Sequence, residues 1–137
     1  MDCGPTCLRM VAKFYGKSFS LQYLRSRSFI TKAGVSMLGI SDAAESIGFR
    51  TKGYRLNWED LRDEVPLPCI VHWKQRHFVV VYNIKKGRKD ETVFVADPAL
   101  GLLTYSKEEF VKCWISTKYD DEQVGTALLL EPTPEFY

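Results

Sequence analysis

The hydrophobic pattern of this 137-residue chain changes near residue 48, and that change constrains the fold more than any other feature. Before it, apolar residues recur three and four positions apart, as in amphipathic helices, and Gly16 and Gly48 stand where two helical patterns end. Beyond it, short runs rich in valine and aromatic residues alternate with turn residues, which indicates strands. This order predicts an α+β domain with a helical lobe over residues 1–48 and a mainly sheet lobe over residues 49–131.

Polar residues in front of the apolar patterns mark where the helices begin. A first helix opens at Gly4-Pro5, and later N-caps are predicted at Ser20, Ser36, Asn57 and Ser106. Glu109 stands three residues after the last of these, as in a capping box. Strands are predicted over residues 49–56, 69–73, 77–82, 92–96, 102–105 and 126–130. The proline-rich tail, residues 132–137, resembles the start of a linker.

Composition excludes several classes of function. Hydrophobic residues make up 45% and charged residues 26% of the chain, which fits one soluble domain over residues 1–137. The formal charge of +2 is too small and too mixed to indicate a nucleic-acid partner. The sequence contains no apolar run near the roughly 18 residues of a membrane span, and no secretory signal. The four cysteines are therefore expected as free thiols, each a core residue, a metal ligand or a nucleophile.

Cys3 stands directly before the Gly-Pro start of the first predicted helix. The positive end of the helix dipole and the unpaired backbone N–H groups there favour the thiolate, which is the nucleophilic form of cysteine. Gly4 has no side chain to block an approaching substrate. The position also suits a small buried residue at a helix terminus, so the role of Cys3 depends on the groups that the fold brings near it.

His77 and Asp97 are the candidate base and the candidate orienting acid. His77 starts an apolar strand, and Asp97 ends the next one, immediately before Pro98. If the hairpin turn centres on Gly87, the two residues lie opposite each other with Cβ atoms about 5 Å apart. The carboxylate would then hold one imidazole nitrogen and leave the other facing a thiol, as in cysteine hydrolases. A core histidine and a turn-forming Asp-Pro are the structural alternatives, and a one-residue slip would turn Asp97 to the other face.

Other uses of the cysteines and histidines fit the spacing less well. Cys69, His72, His77 and Cys113 have the sulfur and nitrogen atoms that bind zinc. Their spacing matches no compact zinc pattern, and a zinc ion would consume the candidate base. Cys7 follows Cys3 by four residues, which is not the C-x-x-C spacing of a redox pair, and it falls on the core face of the helix. The four basic residues of loop 83–90 are typical of a solvated hairpin tip, although they could steer an acidic peptide.

The candidate residues stand in the order found in one known family. The sequence resembles the double-glycine leader peptidases, which are papain-like domains at the N-terminus of peptide- and bacteriocin-exporting ABC transporters. The resemblance covers nearly the whole chain. It is carried by Asp2-Cys3-Gly4-Pro5-Thr6-Cys7 continuing to Phe14-Tyr15-Gly16, by Gly34-Val35-Ser36 leading to Ala43-Ala44-Glu45-Ser46-Ile47-Gly48-Phe49, by Arg76-His77-Phe78-Val79-Val80, and by Val95-Ala96-Asp97-Pro98.

The resemblance implies a papain-like cysteine peptidase with Cys3 as nucleophile, His77 as general base and acid, and Asp97 as the orienting group. The implied substrate is the leader of a secreted peptide or bacteriocin, cut after a Gly-Gly pair. Transmembrane and ATPase parts of the same transporter, the latter with its ATP and magnesium, are expected after Tyr137. No cofactor or metal is expected in this domain. Its expected place is the cytoplasmic side of the bacterial inner (plasma) membrane.

The resemblance leaves two alternatives open. Family members carry an oxyanion-hole glutamine six residues before the cysteine, a position that precedes the first residue of this sequence, so we expect the native polypeptide to extend upstream. A non-catalytic docking domain would bind leaders without cutting them, although such relatives typically lack the cysteine. A papain-like hydrolase that acts on an isopeptide or amide is the other interpretation, because the Gly-Gly assignment rests on family resemblance alone.

Overall fold

The computed structural model of the chain describes residues 3–28, 36–74, 77–119 and 122–137. The α-helices in these ranges are α1 (Cys3–Phe14), α2 (Leu21–Arg27), α3 (Met37–Ser46), α4 (Trp58–Glu64) and α5 (Lys107–Trp114). The strands are β1 (Phe49–Leu56), β2 (Cys69–Trp73), β3 (His77–Lys86), β4 (Glu91–Asp97), β5 (Gly101–Ser106), β6 (Ile115–Tyr119) and β7 (Glu122–Pro132). A short 3-10 helix, Pro134–Phe136, follows the last strand.

Each N-cap residue predicted from the sequence caps a helix. The side chains of Ser20, Ser36 and Asn57 accept the backbone N–H three residues further on, at 3.1, 3.1 and 2.8 Å. Ser106 and Glu109 form the predicted capping box, with reciprocal bonds of 3.2 and 3.0 Å. These bonds satisfy N–H groups that the first turn of a helix leaves unpaired, and they join residues close in sequence.

The described strands form one antiparallel sheet in the order β1-β7-β2-β3-β4-β5, with β6 also paired to β7. Successive side chains along a strand point to opposite faces of the sheet. One face, which includes Ile70, Phe78 and Val80, packs on α1, α2 and α3. The other face, which includes Val79 and Val81, packs on α4 and α5. The sheet therefore lies between two helical layers, and α1 lies over β3.

The hairpin between β3 and β4 extends further than the sequence predicts. A loop is predicted over residues 83–90, but β3 continues to Lys86 and the connection covers only residues 87–90. Ile84 pairs directly with Val93, and both pack in the core layer of α4 and α5. This apolar cross-strand pair stabilises strand structure in a segment whose polar composition is typical of a loop.

The last strand is also longer than predicted, and β6 beside it is not predicted. Only residues 126–130 carry the apolar pattern of a strand, whereas β7 begins at Glu122 and passes through Gly125. A Cβ atom at Gly125 would come within 2.4 Å of the Trp114 ring, so this glycine gives the indole room to lie against the strand. Trp114 Nε1 then donates to the Thr126 carbonyl at 3.0 Å. A packing glycine of this kind resembles a turn residue in the sequence.

The tail, residues 132–137, packs on the helical lobe, in contrast to the predicted start of a linker. Phe136 is fully buried, and its ring centroid lies 4.6 Å from that of Phe49. Lys17 Nζ donates to the Phe136 carbonyl at 2.7 Å, and the Thr133 hydroxyl donates to the Gly48 carbonyl at 2.6 Å. Gly48 has a φ of +105°, and a Cβ there would meet the Phe136 backbone at 2.4 Å. The tail is therefore held by a buried aromatic side chain, which proline content does not reveal.

Candidate active site

Helix α1 places Cys3 near the start of strand β3. The helix begins at Cys3, whose side chain is partly exposed. One turn further, the Cys7 thiol donates to the Phe78 carbonyl at 3.3 Å, so this part of the helix lies directly on the strand. Cys3 is about 6 Å closer to the helix start than Cys7. Residues 10–14 of α1 line one groove together with residues 80–82 of β3, so the helix and the strand run in the same direction. Cys3 therefore lies toward the end of the strand at which His77 stands.

His77 and Asp97 are joined by a hydrogen bond of 2.7 Å between Nε2 and Oδ1. The carboxylate of Asp97 is almost fully buried, and the same Oδ1 accepts the Ala99 N–H at 2.8 Å. The backbone bond holds the carboxylate in one orientation, and the carboxylate in turn orients the imidazole. With Nε2 donating to Asp97, Nδ1 is the ring nitrogen free to accept a proton from a thiol.

The two side chains meet although the predicted cross-strand pairing is wrong. The observed pair nearest the site is Val80 with Ala96, which puts Asp97 level with Val79 and not with His77. The face of Val79 packs on α4 and α5, so α1, which lies on the other face, presents Cys3 toward His77 around the start of β3. His77 and Val79 are two residues apart and point to the same face of the sheet. A diagonal neighbour of this kind lies within reach of a long side chain. The predicted register is therefore wrong by two residues, which gives Asp97 a different cross-strand partner but leaves it on the same face of the sheet as His77.

The other cysteines have surroundings that do not suit a nucleophile or a metal site. Burial raises the pKa of Cys7 well above its ordinary value and that of Cys69 to about 12, so both thiols stay protonated. Cys113 is partly exposed on α5, and the His72 ring packs 4.8 Å from that of Phe78. Among the residues that the structure describes, no group of three or more His, Cys, Asp or Glu side chains could hold a metal ion.

An open apolar groove of about 380 Å³ runs beside α1 and was not predicted as a site. It is lined by side chains of α1 and of strands β3, β4 and β5, among them Met10, Phe14, Val80, Tyr82, Ala96 and Leu102. Phe14 is 61% exposed and Leu102 is 74% exposed, so apolar surface faces the solvent here. In the sequence Phe14 is part of the apolar stripe of α1 and cannot be told from a core residue.

Four of the residues that carry the family resemblance lie outside the described residues. These are Asp2, Gly34, Val35 and Arg76. The remaining motif residues lie in or directly beside α1, α3, β1, β3 and β4, in the order that the resemblance requires.

Comparison with known proteins decides the family. The profile of the peptidase C39 family matches residues 1–119. The chain belongs to the peptidase C39 family. The predicted family and the predicted class of cysteine peptidase are thereby confirmed.

Relatives of this C39 domain are much longer proteins. The chain is 31% identical to the colicin V secretion/processing ATP-binding protein CvaB of Escherichia coli over 137 residues, which cover 94% of this chain and 19% of that protein. It is 33% identical to the lactococcin-G-processing and transport ATP-binding protein LagD of Lactococcus lactis over 139 residues, which cover 98% of this chain and 18% of that protein. The chain thus spans about a fifth of the length of these curated relatives.

Solved structures of C39 domains share the fold. A double-glycine motif protease from an AMS/PCAT transporter, in complex with the leader peptide, is 33% identical with a TM-score of 0.79, covering 96% of this chain and 85% of that one. The peptidase domain of Streptococcus ComA is 33% identical with a TM-score of 0.76, covering 96% and 92%. These similarities confirm the papain-like α+β fold. Among the described residues of this C39 chain, none form a helix long and apolar enough to cross a membrane.

Proposed function

We propose that this domain is a cysteine endopeptidase that removes the leader of a secreted peptide or bacteriocin after a Gly-Gly pair. The observation that carries the proposal is the 2.7 Å bond between His77 and the buried Asp97, at the strand end toward which α1 presents Cys3. The names of the relatives combine processing with transport, and a similar solved domain is a double-glycine protease with a bound leader. Family membership and site geometry thus support the same reaction.

In the proposed mechanism, Cys3 attacks and His77 moves the proton. His77 Nδ1 takes the thiol proton, and the Cys3 sulfur attacks the carbonyl carbon of the second glycine. In this proposal the backbone N–H of Cys3, at the start of α1, donates to the developing oxyanion. His77 then protonates the leaving amine, which releases the mature peptide and leaves the leader as a thioester on Cys3. Water, deprotonated by His77, hydrolyses the thioester and restores the thiol.

Asp97 acts through His77 in this mechanism. The bond between Oδ1 and Nε2 keeps the imidazole in one tautomer and stabilises the imidazolium that forms during attack. The bond from Ala99 N–H keeps the same oxygen pointing at the ring. Glycine specificity is explained sterically, since a narrow cleft at Cys3 would exclude a residue with a Cβ atom.

We further propose that the apolar groove beside α1 receives the leader. The occupant is the apolar face of a helical leader segment, because the groove is apolar, exposed and continuous with the helix that carries Cys3. Met10 lies seven residues along α1 from Cys3, a distance of about 10 Å. The docked segment therefore lies several residues before the cleaved bond.

Substitution in the groove is expected to weaken leader binding without slowing the chemistry. Phe14→Ser removes an apolar side chain that is already 61% exposed, so the fold loses little. KM should rise roughly tenfold with kcat unchanged, as measured by initial rates over a range of leader concentrations. Tyr54→Ser is the matched control, because Tyr54 is an exposed aromatic residue on β1, far from the groove in the sheet order. An equal rise in KM for both variants would contradict the docking assignment.

Two further parts of the proposal concern the whole protein. The domain is one part of a longer ABC transporter that also has transmembrane and ATPase parts, in keeping with the length of the relatives. ATP and magnesium serve that ATPase part. The domain works at the cytoplasmic side of the bacterial inner membrane, where a leader is removed as its peptide is exported.

The proposed reaction is tested with a synthetic peptide that joins a leader ending in Gly-Gly to a short cargo. Mass spectrometry of the products should show one cut, directly after the second glycine. Replacing that glycine with alanine in the peptide should lower the rate by about 10²-fold, the cost of a misplacement near 1 Å. Binding of the unchanged peptide without cleavage would favour the non-catalytic docking domain. Cleavage of an isopeptide in preference to the leader would favour the other hydrolase class.

A further inference from the structure

Cys7 joins the helix that carries the candidate nucleophile to the strand that carries the candidate base. Its side chain is fully buried, and its Sγ donates to the Phe78 carbonyl at 3.3 Å, across 71 positions of sequence. Phe78 directly follows His77, and Cys3 precedes Cys7 by about one helical turn. The bond therefore ties the start of α1 to the start of β3, the two backbone segments that set the separation of Cys3 and His77.

The Cys7 thiol keeps its proton and therefore donates. Burial raises the pKa of Cys7 well above its ordinary value, and negative charge on Cys3 and Asp97 raises it further. Cys7 thus lies within electrostatic range of two members of the candidate triad. A protonated, fully buried thiol is a poor nucleophile, so Cys7 does not compete with Cys3 for substrate.

We propose that Cys7 is a positioning residue for the peptidase reaction, because its thiol fixes the spacing of Cys3 and His77 through the Phe78 carbonyl. The inference rests on the proposed function, in which Cys3 attacks and His77 takes the proton. Both steps need a near-attack geometry, and a displacement of about 1 Å can slow an enzyme about 10²-fold. Leader affinity is set in the apolar groove and is not expected to change.

The test compares Cys7→Ala with Cys7→Ser. Both substitutions remove the sulfur, and they differ by one hydroxyl that can donate to the Phe78 carbonyl after a small shift. Cys7→Ala should lower kcat by about tenfold or more with KM unchanged, whereas Cys7→Ser should recover most of that loss. Steady-state cleavage of the Gly-Gly peptide measures kcat and KM, and thermal melting by circular dichroism shows that each variant folds.

Cys69→Ala is the matched control. Cys69 is as buried as Cys7, but it lies in the core layer of α4 and α5 on the other face of the sheet. This variant should lose stability and keep its kcat. If Cys7→Ala does not fold, Cys7→Val takes its place, because valine fills the space and donates no hydrogen bond.

The positioning role is overturned if Cys7→Ala keeps the kcat of Cys69→Ala, or if Cys7→Ser is as slow as Cys7→Ala. Failure of the proposed function gives a different result, in which the unsubstituted protein does not cut the peptide or Cys3→Ala still cuts it.

Discussion

Cys3→Ala is expected to abolish cleavage of the Gly-Gly peptide while leaving leader binding unchanged. The substitution removes the sulfur that forms the thioester, and no other group can replace it in the proposed mechanism. Loss of a nucleophile in a hydrolase of this type costs on the order of 10⁴-fold or more in kcat. The side chain is partly exposed and small, so the fold should be unaffected. Mass spectrometry follows the products, and fluorescence anisotropy of a labelled leader follows binding.

Cys113→Ala is the control for this prediction. Cys113 is the other partly exposed cysteine of the chain, on α5, and its replacement should leave the rate unchanged. Mild treatment of the unsubstituted protein with iodoacetamide should modify Cys3 before the buried Cys7 and Cys69, and should stop cleavage in step with that modification. Cleavage by the Cys3→Ala variant would contradict the assignment of the nucleophile, as would an equal loss of rate in Cys113→Ala.

Asp97→Ala is expected to lower kcat by about 10²-fold or more, because the imidazole loses the group that orients it. In the structure Asp97 Oδ1 accepts hydrogen bonds from both His77 Nε2 and the Ala99 N–H. Alanine at this position removes both bonds. Residue 97 would then no longer accept a hydrogen bond from His77 Nε2. Because the ring is less constrained, a smaller fraction of molecules would present Nδ1 to the thiol. Initial rates at saturating peptide measure the effect.

Asp97→Asn separates orientation from charge. The Ala99 N–H is a donor and needs an acceptor, so the amide oxygen of asparagine, and not its NH₂ group, should take the place of Asp97 Oδ1. The same oxygen then accepts the His77 Nε2–H and preserves the tautomer. We expect Asp97→Asn to keep kcat within about tenfold of the unsubstituted protein. Equal and severe losses in both variants would show that the negative charge, and not the orientation of the ring, is what the reaction needs.

Local features of the sequence were sufficient for the helix starts. Ser20, Ser36 and Ser106 cap helices as predicted, because a capping bond joins residues three apart and depends little on the rest of the molecule. The ends of α1 and α3 were also predictable from local sequence, because Gly16 and Gly48 adopt the positive φ angles that end a helix.

Long-range packing was not predictable in the same way. The tail was expected to leave the domain, yet Phe136 is buried beside Phe49, and β7 continues past Gly125 because Trp114 packs there. In each case a residue type common in loops or linkers serves a contact with a residue distant in sequence. Composition and periodicity carry no information about such a partner.

The pairing of His77 with Asp97 shows where local information ends. The last pair before the turn is Lys86 with Glu91, so the hairpin is not centred on Gly87, and the pairing shifts by three residues relative to the prediction. A bulge at Tyr82 shifts it back by one. The net shift of two keeps Asp97 on the face of His77, whereas without the bulge the carboxylate would point away.

The sequence by itself determined the class of this protein, a cysteine peptidase, and its candidate site. It singled out Cys3, His77 and Asp97 because each stands at the end of a helix or strand, marked by a neighbouring glycine, proline or apolar run. Only the tertiary structure decided that the histidine and the carboxylate meet, and that the Cys7 thiol holds α1 on β3 beside them. The physical reason is range: propensities and caps act over a few residues, while register, bulges and packing join residues tens of positions apart.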